Sequence, residues 1–146
     1  MPPQQKQYEY LEHTADAKFR AYGKSLEETF ENAALAMFNV IIDTGKISGS
    51  TEKNVSVESH DLENLLVDWL SELLYIFEVD EIAFQEFRVQ EILEKNGKYF
   101  LKAKAIGEKF EGKNLPFETE IKAVTYNQLE LCKTSEGWVA QVVVDL

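Results

Sequence analysis

Aromatic and small apolar residues crowd the stretch from Tyr8 to Tyr22, broken at His13 to Asp16, a pattern that predicts two short strands separated by a polar bend. After Gly23 the spacing changes: Leu26, Phe30, Ala33, Ala34, Met37, Phe38 and Ile41 recur as one face of a helix. Ser25 stands three residues before Glu28, the spacing of a capping box, so the helix is expected to open there and to end near Asp43 to Gly45. The polar run "DTGKISGSTEKN" leads to "VSVES", short enough for one alternating strand. Asp61 then caps "LENLLVDWLSELLYIFEVD", where Leu62, Leu65, Leu66, Trp69, Leu70, Leu73, Ile76 and Phe77 form a wide apolar face. This second helix is expected to be the most buried element.

From Ile82 onward the period falls to two. Tyr99, Leu101, Ala103 and Ala105 alternate with other residues, and "KNGK" at 95–98 carries the Asn-Gly signal of a tight hairpin. "EKFEGKNLPFE" reads as a loop by its Gly, Asn and Pro, followed by three strands in "TEIKAVTY", "QLELCK" and "GWVAQVVVDL", the last two joined through "TSEG". Helices early and a meander late predict an α+β fold, a mixed or antiparallel sheet covered on one face by two amphipathic helices. The 146 residues, 45% hydrophobic, suit a single domain over 1–146, with 1–7 as a flexible lead.

Charge narrows the function. Fifteen Lys and Arg face 26 Asp and Glu, a formal net of -11, so the average field repels phosphate backbones and anionic membranes. Such a surface suits a cation or a basic protein partner. The one cysteine, Cys132, excludes a disulfide framework and is expected to be a buried spectator thiol. With no signal-peptide pattern and no long apolar run, a cytoplasmic location is expected.

Two carboxylates depart from their surroundings. Asp145 follows the apolar "QVVV", and Asp16 ends the polar "HTAD". If the first and last strands are neighbours, these aspartates converge with an oxygen of Leu146, and an all-oxygen donor set selects Ca²⁺ or Mg²⁺ over Zn²⁺. The plainer reading of the spacing is that Asp16 caps a turn and Asp145 is a solvated terminus. His13 reads first as a turn residue, with Thr14 beside it. Asp43 reads as a helix-terminal turn residue whose charge opposes the macrodipole. Lys122 would share a strand face with Val124 and Tyr126, opposite Ile121, Ala123 and Thr125, and extend to solvent. No nucleophile elbow, phosphate loop or metalloprotease helix is present in the sequence.

Taken together, "YEYLEHTADAKFRAYGKSLEETFENAALAMF", "DLENLLVDWLSELLYIF", "TEIKAVTY" and the terminal "WVAQVVVDL" resemble the archease family across nearly the whole chain. The resemblance implies the archease fold and a non-enzymatic role. Archeases promote guanylylation of RtcB-type tRNA-splicing RNA ligases with GTP, sustain their turnover and can broaden their nucleotide use. It also implies a bound divalent cation, calcium first, with magnesium or manganese as alternatives. By motif, Asp16 and Asp145 correspond to the metal-binding aspartates, with Leu146 adding an oxygen, while Asp43 and Lys122 match positions needed for activity. Asn127 stands where the family often has His, so no role for that imidazole carries over. The rival expectations are a chaperone or modulator of an RNA-modifying enzyme such as a tRNA methyltransferase, and a metal-dependent hydrolase built on Asp16 and Asp145.

Overall fold

The computed structural model describes residues 6–12 and 16–146. The early aromatic stretch forms strands β1 (Tyr8–Leu11) and β2 (Asp16–Gly23), paired antiparallel. The proposed turn roles of His13 and Thr14 fall outside the described residues. Helix α1 (Leu26–Ile41) starts at Ser25, whose hydroxyl accepts from the Glu28 amide at 3.1 Å. The reciprocal bond of the box is displaced by one residue, the Glu28 carboxylate accepting from the Lys24 amide at 2.8 Å. After α1 a 3₁₀ turn (Thr44–Lys46) leads to β3 (Thr51–Ser59), longer at its start than "VSVES".

Helix α2 (Leu62–Asp80) opens on Asp61, which accepts from the Asn64 amide at 2.7 Å. Strands β4 (Ile82–Lys95) and β5 (Lys98–Lys109) form the long hairpin, and Asn96 and Gly97 both take positive φ (54° and 77°), as a type I′ turn requires. The chain ends in β6 (Ala123–Val124), β7 (Glu130–Thr134) and β8 (Gly137–Asp145).

The α+β class holds, and the strands divide into two antiparallel sheets. One runs β1-β2-β8-β6, with β7 also on β8, and the other runs β3-β5-β4. Both helices touch strands of both sheets, α1 against β2, β8 and β4, and α2 against β3, β5 and β7. Phe38 is the junction, its ring 5.9 Å from Phe77, 5.6 Å from Phe84 and 5.6 Å from Phe87. The fully buried Trp69 satisfies its indole N–H on the Phe30 carbonyl at 3.0 Å, locking α2 to α1.

Three expectations need correction. The second helix is not the most buried element: nine of the 16 residues of α1 are buried against eight of the 19 of α2. "TEIKAVTY" forms a ladder only at Ala123 and Val124, so Ile121 is buried while Ala123 is exposed, and the proposed alternation of faces does not develop. The cause is competition: β7 pairs with β8 from Gly137 to Gln141 along the same edge, leaving Val144 and Asp145 for β6. Cys132 is exposed. It lies on β7, where Leu131 is the residue that packs toward the core.

Gly107 sits where the β4–β5 ladder shifts register, and a Cβ there would lie 1.9 Å from the Ala83 carbonyl oxygen. Gly107→Ala is therefore expected to cost about 3 kcal/mol, and Trp69→Ala about 4 kcal/mol, read from urea denaturation midpoints. Glu31 on α1 gives a pH signature. Its carboxylate accepts from the Val89 amide at 2.7 Å, yet burial pushes its pKa up, with Glu28 and Glu27 adding repulsion against the pull of that hydrogen bond. A carboxyl with a raised folded pKa takes up protons on folding. Its contribution to stability is present below the unfolded value and lost as pH rises through the folded value. Glu31→Gln should remove that decline, so the stability of variant over parent should grow as pH rises above the ordinary glutamate range in denaturation curves.

Candidate functional site at one end of the central ladder

The register of β2 with β8 runs from Gly23 opposite Trp138 to Asp16 opposite Asp145. Directly opposed residues of an antiparallel pair share a face, with Cβ atoms about 5 Å apart, so the two aspartates project together. On its other side Asp145 is opposite Ala123, and its carbonyl accepts from the Lys122 amide at 2.7 Å. Asp16, Asp145 and Lys122 are thus brought to one end of the sheet, with Leu146 following and half-buried against the core.

Asp43 reaches the same end by way of α1. The helix begins beside Gly23, where Asn32 donates to the Tyr22 carbonyl, and returns along β2. Its last carbonyl, that of Ile41, accepts from the Glu118 amide at 2.7 Å, four residues before Lys122 in the chain. The Asp43 carboxylate caps the 3₁₀ turn, accepting from Gly45 at 3.0 Å, which supplies the compensation that a carboxylate beyond a helix C-terminus calls for.

Asp145 is exposed. Water reaches it, so the cost of a buried unpaired carboxylate does not arise. No Lys or Arg among the described residues forms an ion pair with it. Along the same outer face Lys18 donates to Gln128 at 2.7 Å and Arg20 to Gln141 at 3.0 Å, while Gln141 donates to the Gln128 carbonyl at 2.8 Å. These cations are held by amides, an arrangement the sequence reading missed. Its signal was the period-two row Asp16, Lys18, Arg20. Among the described residues no group of three or more His, Cys, Asp and Glu is placed to hold a metal ion.

A sequence profile of the Archease protein family matches residues 8–146. The chain belongs to the archease family. It is 70% identical to the protein archease of Methanosarcina barkeri over 146 residues, covering all of both chains. It is 44% identical to that of Pyrococcus furiosus over 142 residues, covering 97% of this chain and 99% of the other. The solution structure of protein 1598 from Methanobacterium thermoautotrophicum superposes with a TM-score of 0.85 at 41% identity, covering 96% of this chain and 99% of that one. A crystal structure from Thermotoga maritima, described as an archease and possible chaperone, gives a TM-score of 0.57 at 22% identity over the full length of both, a likeness of fold. The archease fold is therefore that of two helices and two antiparallel sheets, and no helix among the described residues is long and apolar enough to cross a membrane.

The opposed aspartates make a measurable prediction. Like charges directly across a ladder repel. In the presence of chelator and at low salt, Asp145→Asn is expected to raise stability by about 0.5 kcal/mol, with the gain shrinking at 1 M salt, as read from thermal melts.

Proposed function

We propose that this archease-family protein is a non-enzymatic activator of an RtcB-type RNA ligase, acting in the cytoplasm by promoting guanylylation of the ligase with GTP and thereby repeated turnover. The single observation that supports it is the placement of Asp16 opposite Asp145 with the Lys122 amide on the Asp145 carbonyl, in a chain that matches the archease family from residue 8 to 146. Four positions drawn from both ends of the chain, Asp16 and Asp43 from its first third and Lys122 and Asp145 from its last, lie toward one tip of the molecule.

A hard divalent cation fits the donor chemistry. Two carboxylates face each other across a ladder, one is exposed, and no Lys or Arg among the described residues pairs with Asp145. Asp16 and Asp145 would hold the ion, with an oxygen of Leu146 as a further donor and water completing the shell, a set suited to Ca²⁺ ahead of Mg²⁺. Bound there, the ion supplies positive charge that counters phosphate oxygens during nucleotidyl transfer. The chain's own contribution is positional. The ladder fixes the spacing of the two carboxylates, the Lys122 amide holds the Asp145 carbonyl, and the Lys122 ammonium, exposed to solvent, is available to an anionic group. Asp43 keeps the turn after α1 closed through Gly45.

Asp16→Ala and Asp145→Ala, each checked for folding by circular dichroism, are expected to lower ligase guanylylation in a multiple-turnover assay by about 100-fold, the scale of losing a metal's ligand environment. Chelator should do the same to the parent protein. Stimulation equal to the parent in both variants would sink the proposal.

A further inference from the structure

Beside the aspartate tip lies a cleft of about 450 Å³ that none of the site residues lines. Its walls are apolar: Ile41 at the end of α1, Phe77 near the end of α2, and Phe110 and Phe117 from the loop that follows β5. Phe117 stands edge to face with both other rings, its centroid 5.8 Å from Phe77 and 5.0 Å from Phe110, while Phe77 and Phe110 are tilted at 5.3 Å. Phe117 is 42% exposed, a large apolar surface left in water.

The rim is acidic. Glu78, Glu81, Glu118 and Glu120 surround the rings, and no hydrogen bond or ion pair of these carboxylates is formed within the described residues. The cleft also collects the C-terminal ends of α1 and α2, neither of which carries a basic residue in its last turn. Two negative helix ends and four carboxylates act on one apolar hollow, so its field selects a cation-bearing occupant and rejects phosphate. Aromatic walls add affinity for Arg, whose guanidinium stacks on a ring face, and for an apolar side chain inserted between the rings.

We propose that this cleft docks a basic segment of the partner ligase, one apolar or aromatic side chain seated among Phe77, Phe110 and Phe117 and flanking Arg or Lys side chains paired with the rim glutamates. The identity of the partner rests on the proposed function. Position supports the link: Ile41 lies two residues before Asp43, and Glu120 two before Lys122, so a segment held here is set alongside the aspartate tip. The cleft is the anchor and the tip the active end.

The test is a titration of purified ligase with the full chain, following binding by calorimetry at two salt concentrations and guanylylation in parallel. Phe117→Ala and the double variant Glu118→Gln/Glu120→Gln should each raise the Kd by about tenfold, the scale of losing an interface anchor. At saturating concentration both should still stimulate guanylylation fully, and the double variant should show a weaker salt dependence than the parent. The exposed positions make loss of folding detectable as a separate event by circular dichroism. Parent-like Kd values in both variants, with Asp145→Ala still losing stimulation, would overturn the docking cleft and leave the proposed function standing. A parent protein that neither binds nor stimulates the ligase would overturn both the function and this occupant.

Discussion

The antiparallel pairing of β2 with β8 is the constraint from which the rest follows. Eight consecutive partners, from Asp16 with Asp145 to Gly23 with Trp138, join the first part of the chain to its end. Side chains alternate faces along such a ladder, so a slip of one residue would turn Val142 and Val144 outward and drive Asp145 into the core. The two valines, fully buried in the same core as Phe19 and Ala21, hold the register and thereby the aspartates. At the other end the backbones approach so closely that a Cβ on Gly137 would lie 2.1 Å from the Gly23 carbonyl oxygen, and Gly137 adopts φ 141°. The hydrophobic pattern of β8 and one glycine thus set the geometry of a polar tip that neither touches.

Helix direction decides where negative charge accumulates. Because α1 starts beside Gly23 and returns along β2, its carboxyl end arrives at the end of the sheet that carries Asp16 and Asp145. The end of α2 meets it at the cleft. The groups that satisfy the α1 terminus are neutral: the Ile42 amide donates to the Phe38 carbonyl at 2.9 Å, and the Glu118 amide donates to the Ile41 carbonyl at 2.7 Å. Neutral donors satisfy orphan carbonyls without cancelling the partial charge of the helix end. The fold therefore leaves one region of the surface more negative than the net charge of -11 alone implies.

Both helices, their caps and the Asn-Gly hairpin were legible because each is fixed by near neighbours in sequence. The Ser25 and Asp61 caps and the positive φ values of Asn96 and Gly97 depend on residues within three or four positions. "TEIKAVTY" was overread because its pattern carries no information about which partner edge is free, and β7 had already taken most of that edge. Cys132 was misplaced for a related reason: an apolar neighbourhood on an edge hairpin buries one side only. The convergence of Asp16 and Asp145 was expected from a pairing of the first and last strands, whereas β1 lies at the edge and it is the second strand, β2, that pairs with β8 and carries Asp16. Asp43 and Lys122 had no local signal and came from resemblance. The cleft was invisible because its walls come from α1, α2 and a loop. The hint available was two phenylalanines, Phe110 and Phe117, inside a stretch otherwise read as a loop from its Gly, Asn and Pro.

Acidity does opposite things at the two adjoining sites. An acidic protein brought to a nucleotidyl-transfer centre meets phosphates that its own field repels, so assistance requires either a cation that locally reverses the sign or a basic surface that holds the protein close despite the repulsion. On the proposed reading the aspartate pair serves the first need and the glutamate-rimmed cleft the second. On that reading the same charge would repel free RNA and favour a basic protein face. Separating the two also separates their energetics: salt screens the rim charge pairs of the cleft and the exposed tip alike, but leaves the aromatic burial of the cleft in place. Docking then keeps its apolar part under conditions in which the charge at the tip is screened.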